Sequence, residues 1–162
     1  MPVLLRLLLI SISWIVLQIG SGYLTHQISR GHFLKDSRLY GTREWERGGA
    51  IYQVLFRIRR WKDSLPEAGA MFAGGISKRK MGVSREQLEV FVAETRPAEL
   101  THRLPVPLSF FFLWNPVPVA IWMPFIGLLG NVPFIMVQRY LRPRVIALLH
   151  RSTSRVLPDD LT

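Results

Sequence analysis

Apolar residues gather in two blocks, 3–24 and 104–138, and the stretch between them carries most of the charge. A water-soluble domain spaces its apolar residues at helix or strand periods throughout, so this segregation predicts a membrane protein. The block from Val3 to Leu24 is interrupted by Arg6, Gln18 and a few small residues. About twenty helical residues cross a hydrocarbon core, and Arg6 lies near enough to the end to reach headgroups. A transmembrane helix is expected here. A cleaved signal peptide is the rival, with Gly20-Ser21-Gly22 as its small-residue site, but the A-x-A pattern is missing.

Residues 25–41 read as an irregular connector. Over 43–62, Ile51, Val54, Leu55, Ile58 and Trp61 recur at helical spacing beside Arg57, Arg60 and Lys62. That predicts a basic amphipathic helix on the membrane surface, or else a core helix with a solvated charged face. Residues 64–83 hold Pro66, Gly69, Gly74, Gly75 and Gly82 and read as loop. Gly69 and Gly74 have the spacing of a phosphate-binding loop, but Gly75 stands where the lysine would have to follow. Lys78-Arg79-Lys80 reads as a solvated or headgroup-facing run. Ser84 opens a helix, with Gln87 completing a capping box and Leu88, Phe91 and Val92 as the apolar stripe. Pro97 should kink that helix or start a new turn.

The second apolar block contains Pro105, Pro107, Pro116, Pro118, Pro124 and Pro133. Two full spans need about forty residues, and fewer are available. Two short or Pro-broken membrane helices are expected, with a re-entrant hairpin turning near Asn115-Pro116 as one form. Irregular backbone at that depth must pack on protein or a polar cavity. The pattern as a whole predicts an all-α membrane protein of one domain. It comprises a transmembrane helix (3–24), a cytoplasmic or interfacial region with amphipathic helices (25–103), a membrane hairpin (104–138) and a basic cytoplasmic tail (139–162).

The net charge of +10 raises the question of nucleic acid. The basic residues flank hydrophobic blocks and form no nucleic-acid-binding motif, so membrane lipids are the expected partner. Residues 25–103 hold fifteen Lys and Arg and residues 139–162 hold five, which puts both segments on the cytoplasmic side of the cell membrane. With no cysteine in the chain, neither disulfides nor thiol chemistry arise.

Two polar clusters stand out. The first runs from Glu94 to His102 and includes Arg96 and Glu99. Glu99 and His102 are three residues apart and share a helical face. A carboxylate beside an imidazole orients it and raises its basicity, and histidine exchanges protons near neutral pH. The plain alternative is an interfacial helix end with His102 capping it or touching headgroups. Glu-x-x-His also occurs in di-iron proteins, but these need two such motifs and further carboxylates, so no metal is expected. His32 and Asp36 miss the spacing of an acyltransferase His/Asp box by one residue.

The second cluster holds Asn131, Gln138, Arg139, Tyr140, Arg142 and Arg144. Guanidinium forks bind phosphate or carboxylate bidentately. Positive-inside flanking explains the arginines but not the amides, which are costly in an apolar block unless they bond to something.

At these clusters the chain resembles a known family. Glu94-Thr95-Arg96 with Ala98-Glu99-Leu100 and His102, Asn131-Val132-Pro133, and Val137-Gln138-Arg139-Tyr140 with Arg142-Pro143-Arg144 look like glycosyl-4,4′-diaponeurosporenoate acyltransferase. Arg60-Trp61-Lys62 matches a third, shorter signature. The resemblance runs roughly over residues 40–150, and segment 64–83 departs most. Members attach a fatty acyl chain to the sugar of a glycosylated carotenoid in staphyloxanthin-type pigment synthesis. The resemblance implies O-acyl transfer from a thioester donor to a sugar hydroxyl of a glycosylated carotenoid or similar lipid, without a cofactor. His102 would be the base, Glu99 would orient it, and Glu94 and Arg96 would complete the polar site. Arg139, Arg142 and Arg144 would hold the donor, with Asn131, Gln138, Tyr140, Arg60, Trp61 and Lys62 also on the substrate side. The competing class is a non-catalytic membrane scaffold or lipid-binding subunit of a biosynthetic complex.

Overall fold

The computed structural model describes residues 2–34, 37–66 and 84–156. Every regular element among them is helical: α1 (Val3–Gln27), α2 (Arg30–Leu34), α3 (Ala50–Phe56), α4 (Arg85–Arg103), α5 (Pro105–Leu108) and α6 (Val117–Val156). Short 3-10 segments cover Glu44–Gly49, Ile58–Arg60, Lys62–Ser64 and Ser109–Trp114. The chain divides into two compact units, residues 1–29 with 99–135 and residues 30–98 with 136–162. Most of the segment read as a glycine-rich loop, including Lys78-Arg79-Lys80, lies outside the described residues.

In the first unit, α1 is one uninterrupted helix of 25 residues. Its few hydroxyls satisfy themselves on the helix: Ser21 donates to the Leu17 carbonyl and Thr25 to the Ser21 carbonyl, each at 2.8 Å. This back-bonding lets polar residues sit in an apolar helix at little cost. The Trp14 ring meets the Phe112 ring edge-on at 6.2 Å. Gly127 of α6 lies so close to Ser109 that a Cβ there would stand 2.6 Å from the serine's own. The missing side chain is what admits this approach. Helices α1 and α6 are both long and apolar enough to cross a membrane, the latter within Val117–Arg151.

The expected break at Asn115-Pro116 is present. Asn115 is extended (φ −88°, ψ 168°), and Val119 and Ala120 donate to the Pro116 carbonyl as α6 begins. The rest of the block differs from expectation. Instead of a second short helix, α6 runs for 40 residues through Pro124, Pro133 and Pro143. Residues 139–156, expected as a polar tail, are its continuation. Each interior proline removes one helical hydrogen bond, a loss that long apolar helices absorb when neighbouring groups take over the backbone partners.

In the second unit, the capping box of α4 forms as the sequence predicts. Ser84 N–H donates to Gln87 Oε1 and Gln87 N–H to Ser84 Oγ, both at 3.3 Å. Pro97 does not start a new turn, and α4 continues through it to Arg103. The single helix expected over 43–62 is not there. Arg47, Gly48 and Gly49 have φ of +47°, +60° and +82°, and Arg57 has +48°. These left-handed positions cut the segment into 3-10 turns around the seven-residue α3. The predicted stripe divides accordingly: Ile58 is fully buried, whereas Val54 and Leu55 are exposed. Residues 25–41 are not wholly irregular either, since α1 reaches Gln27 and α2 follows.

Candidate functional site

The first unit holds the histidine. His102 sits in the last turn of α4 and is half-buried. Its Nδ1 lies 3.1 Å from Asn131 Oδ1, and its ring stacks on Phe134 with centroids 4.3 Å apart and planes at 10°. Asn131, essentially fully buried on α6, donates from Nδ2 to the Gly127 carbonyl at 2.9 Å. A carbonyl only accepts, so Nδ2 must face it and Oδ1 must face the histidine. Nδ1 of the neutral ring then carries the hydrogen, and Nε2 carries the lone pair. A buried amide thus fixes both tautomer and ring orientation. Glu99 is completely buried, and its Oε1 takes Arg103 at 2.5 Å, one turn further along α4.

The second unit holds the arginines, built around Glu46, a fully buried carboxylate. Arg139 meets it with both edges of its fork, Nε to Oε1 and Nη2 to Oε2 at 3.0 Å. Tyr52 donates its hydroxyl to Oε1 at 2.6 Å, and the Arg43 N–H donates to Oε2 at 2.7 Å. Burial alone would raise the carboxyl's pKa, but the bonds from Arg139, Tyr52 and Arg43 outweigh it and hold Glu46 below its ordinary value. Burial, and then the carboxylate it serves, push the Tyr52 phenol well above its ordinary range. Arg139 also donates to the Gly41 carbonyl at 3.0 Å.

One turn on, Arg142 donates to Thr95 Oγ1 (2.7 Å), the Thr95 carbonyl (3.1 Å) and the Tyr40 carbonyl (2.7 Å). Arg139 and Arg142 thereby fasten the connector before Glu46, and α4 at Thr95, to the second half of α6. Arg96 donates to the Phe33 carbonyl. Arg144 lies over the Tyr140 ring, 3.7 Å from its centroid, and Arg59 Nε donates to the Tyr140 hydroxyl at 2.9 Å. Tyr40, Thr42, Glu46, Arg139, Arg142 and Pro143 line a shallow depression.

Of the residues singled out in the sequence, Glu99, His102 and Asn131 belong to the first unit. Arg60, Trp61, Lys62, Glu94, Arg96, Gln138, Arg139, Tyr140, Arg142 and Arg144 belong to the second. Glu94 is half-buried and Gln138 buried. Trp61 donates its indole N–H to the Phe56 carbonyl at 2.9 Å, Lys62 pairs with its neighbour Asp63 at 2.5 Å, and Arg60 is exposed. Glu46, Tyr52 and Arg59 carry no signal that the sequence reading used. Arg47-Gly48-Gly49 was the available hint, since a glycine pair marks a turn that breaks a helical pattern.

The chain is similar to known proteins. A family model for glycosyl-4,4′-diaponeurosporenoate acyltransferase matches residues 36–151. Proteins of that name from Staphylococcus aureus strains bovine RF122, USA300 and Newman are each 27% identical to this chain over 140 residues, covering 86% of it and 85% of theirs. No solved structure matches. With most of its length matched, from the connector before Glu46 to the arginines of α6, the chain belongs to the glycosyl-4,4′-diaponeurosporenoate acyltransferase family.

Proposed function

We propose that this protein is a membrane acyltransferase that esterifies a sugar hydroxyl of a glycosylated carotenoid, or a similar lipid acceptor, with a fatty acyl group. The observation that carries the reading is His102, held by Asn131 in the tautomer a general base needs. Family membership supplies the reaction class.

In this mechanism Nε2 of His102 removes the proton of the acceptor hydroxyl as its oxygen attacks the carbonyl carbon of an acyl thioester. The C–S bond then breaks, and the imidazolium returns the proton to the leaving thiolate. Such assistance contributes about 10²–10⁴ in rate. Phe134 and Asn131 set the plane of the ring. Glu99, through its pair with Arg103, steadies the helix end that carries it. Glu94 and Arg96 remain members of the polar site. Arg139 spends its fork on Glu46 and Arg142 its fork on Thr95 and Tyr40, whereas Arg144 gives Nη1 to the Gly48 and Tyr140 carbonyls, which favours Arg144 as the arginine that meets the donor. Gln138, Tyr140, Arg60, Trp61 and Lys62 complete the substrate side.

The exposed apolar side chains of α1 and α6, among them Leu4, Val16, Ile121 and Leu129, suit contact with acyl and polyene chains and membrane lipid. The surplus of Lys and Arg in 25–103 and 139–162 favours a multi-pass protein of the cell membrane with its catalytic side cytoplasmic. Because the chain lacks cysteine, single introduced cysteines at Ser77 and Ser152 report sidedness directly, and opposite accessibility would exclude this topology. The reaction is tested by mass spectrometry of pigment and lipid extracts with and without the gene. One ester should vanish with it. An unchanged ester profile would leave the scaffold class in its place.

A further inference from the structure

We propose that Arg59 and Arg144 form a phosphate-binding site around Tyr140. The proposal rests on the acyltransferase reading only for its biological ligand, the phosphate end of an acyl donor. The site itself stands on geometry.

Tyr140 is 2% exposed and is gripped twice. The Arg144 guanidinium lies 3.7 Å over its ring, and Arg59 Nε reaches its hydroxyl at 2.9 Å. Two cationic forks are anchored on one aromatic side chain, although 85 positions separate them in sequence. Neither anchor consumes a fork. Among the described residues Arg144 spends only Nη1, on the Gly48 carbonyl at 3.4 Å and the Tyr140 carbonyl at 2.6 Å. Its Nε and Nη2, and both Nη groups of Arg59, donate to no protein group among the described residues. Nor does either guanidinium pair with a carboxylate among the described residues, and Glu46, the buried carboxylate of this unit, is taken by Arg139.

Two like charges held together without a counterion repel one another, and an anion between them relieves that cost. The aromatic face stabilises the cation above it. Fixed guanidinium edges match phosphate oxygens bidentately, which a lysine ammonium cannot do. The ligand is therefore a phosphate or diphosphate ester, whether on a soluble acyl donor or on a lipid headgroup.

The experiment measures binding of inorganic diphosphate to the full chain in nanodiscs of uncharged phosphatidylcholine, by calorimetry. Saturable binding is expected. Arg59→Gln should weaken it at least tenfold, as should Arg144→Lys, which keeps the charge and loses the fork, while Arg151→Gln should leave it unchanged. Nanodiscs with phosphatidylglycerol separate the two sources. Undiminished diphosphate binding there assigns the site to a soluble donor, and competitive loss assigns it to a headgroup; both support a phosphate site. Absence of saturable binding by the parent protein, or equal binding by Arg59→Gln, overturns the proposal. Because Arg59 is exposed, its variant remains informative if Arg144→Lys fails to fold. No step depends on ester formation, so failure here and failure of the acyltransferase reading are read separately.

Discussion

Glu46 and Arg139 lie 93 residues apart in sequence and share a two-point ion pair buried in the second unit. Removing one partner of such a pair strands the other charge out of water. Glu46→Gln should therefore destabilise the protein by about 3–5 kcal/mol. Arg139→Lys keeps the charge but cannot reach both carboxylate oxygens and the Gly41 carbonyl together, so it should also lower the melting temperature in detergent. Arg151→Lys, at an exposed position, should not. Equal melting of the Arg139 and Arg151 variants would reduce Arg139 to a topology signal.

The same carboxylate gives stability an acid limb. Its folded pKa lies below the ordinary 4.5, so between the two values the unfolded chain binds the extra proton. The stabilisation is complete above the unfolded pKa and is lost as pH falls from about 4.5 through the folded value. Tyr52 adds an alkaline limb of opposite sense. Its raised folded pKa means that its contribution is present below pH 10 and is lost as pH climbs past it. Unfolding followed across pH should show the acid limb in the parent protein and a shallower one in Glu46→Gln. An identical acid limb in both would transfer the effect to other carboxylates.

Gly49 meets two demands at once. Its φ is +82°, and a Cβ there would stand 2.8 Å from Arg144 Nη1, 3.1 Å from the Arg139 carbonyl and 3.1 Å from the Tyr140 Cα. Gly48 also has positive φ (+60°), but a Cβ there meets nothing within 4 Å. Gly48→Ala should thus cost only the backbone term, about 1–2 kcal/mol. Gly49→Ala should cost clearly more, since part of what it strikes is helix backbone that cannot yield cheaply. Comparable losses in the two variants would mean that α6 does not press on Gly49.

What the sequence disclosed was decided locally. The Ser84–Gln87 box spans three residues, and the turn at Asn115-Pro116 follows from the restriction that proline places on the residue before it. The misreadings came from signals with two physical outcomes. Pro124 and Pro133 can end a helix or be absorbed within one, and only the neighbours decide. The periodic stripe of 43–62 outweighed Arg47-Gly48-Gly49, although a left-handed backbone overrides any side-chain period. Glu46 was invisible because a lone glutamate reads as solvated until its arginine is found 93 positions away. His102 and Asn131 were each singled out, but in separate clusters, and their contact joins α4 to α6 within the first unit.

That contact supports the most discriminating test of the chemistry. Asn131→Leu keeps the branched shape of the side chain and removes both the acceptor for Nδ1 and the donor to Gly127. The ring would then sample both tautomers and lose its fixed plane, and only part of the population would present Nε2 as a base. Turnover should fall by roughly 10–100-fold, the scale of losing a group that orients an imidazole. His102→Ala should abolish ester formation, and His102→Gln should do no better, because an amide accepts no proton at neutral pH. The discriminating reading is Asn131→Leu across pH at matched protein levels in membranes. A positioning role changes kcat and displaces its acidic limb, because the imidazole has lost its fixed partner. A merely structural role lowers the amount of protein and leaves the pH profile of the remainder where it was. Near-normal turnover by His102→Ala would end the general-base mechanism whatever Asn131 does.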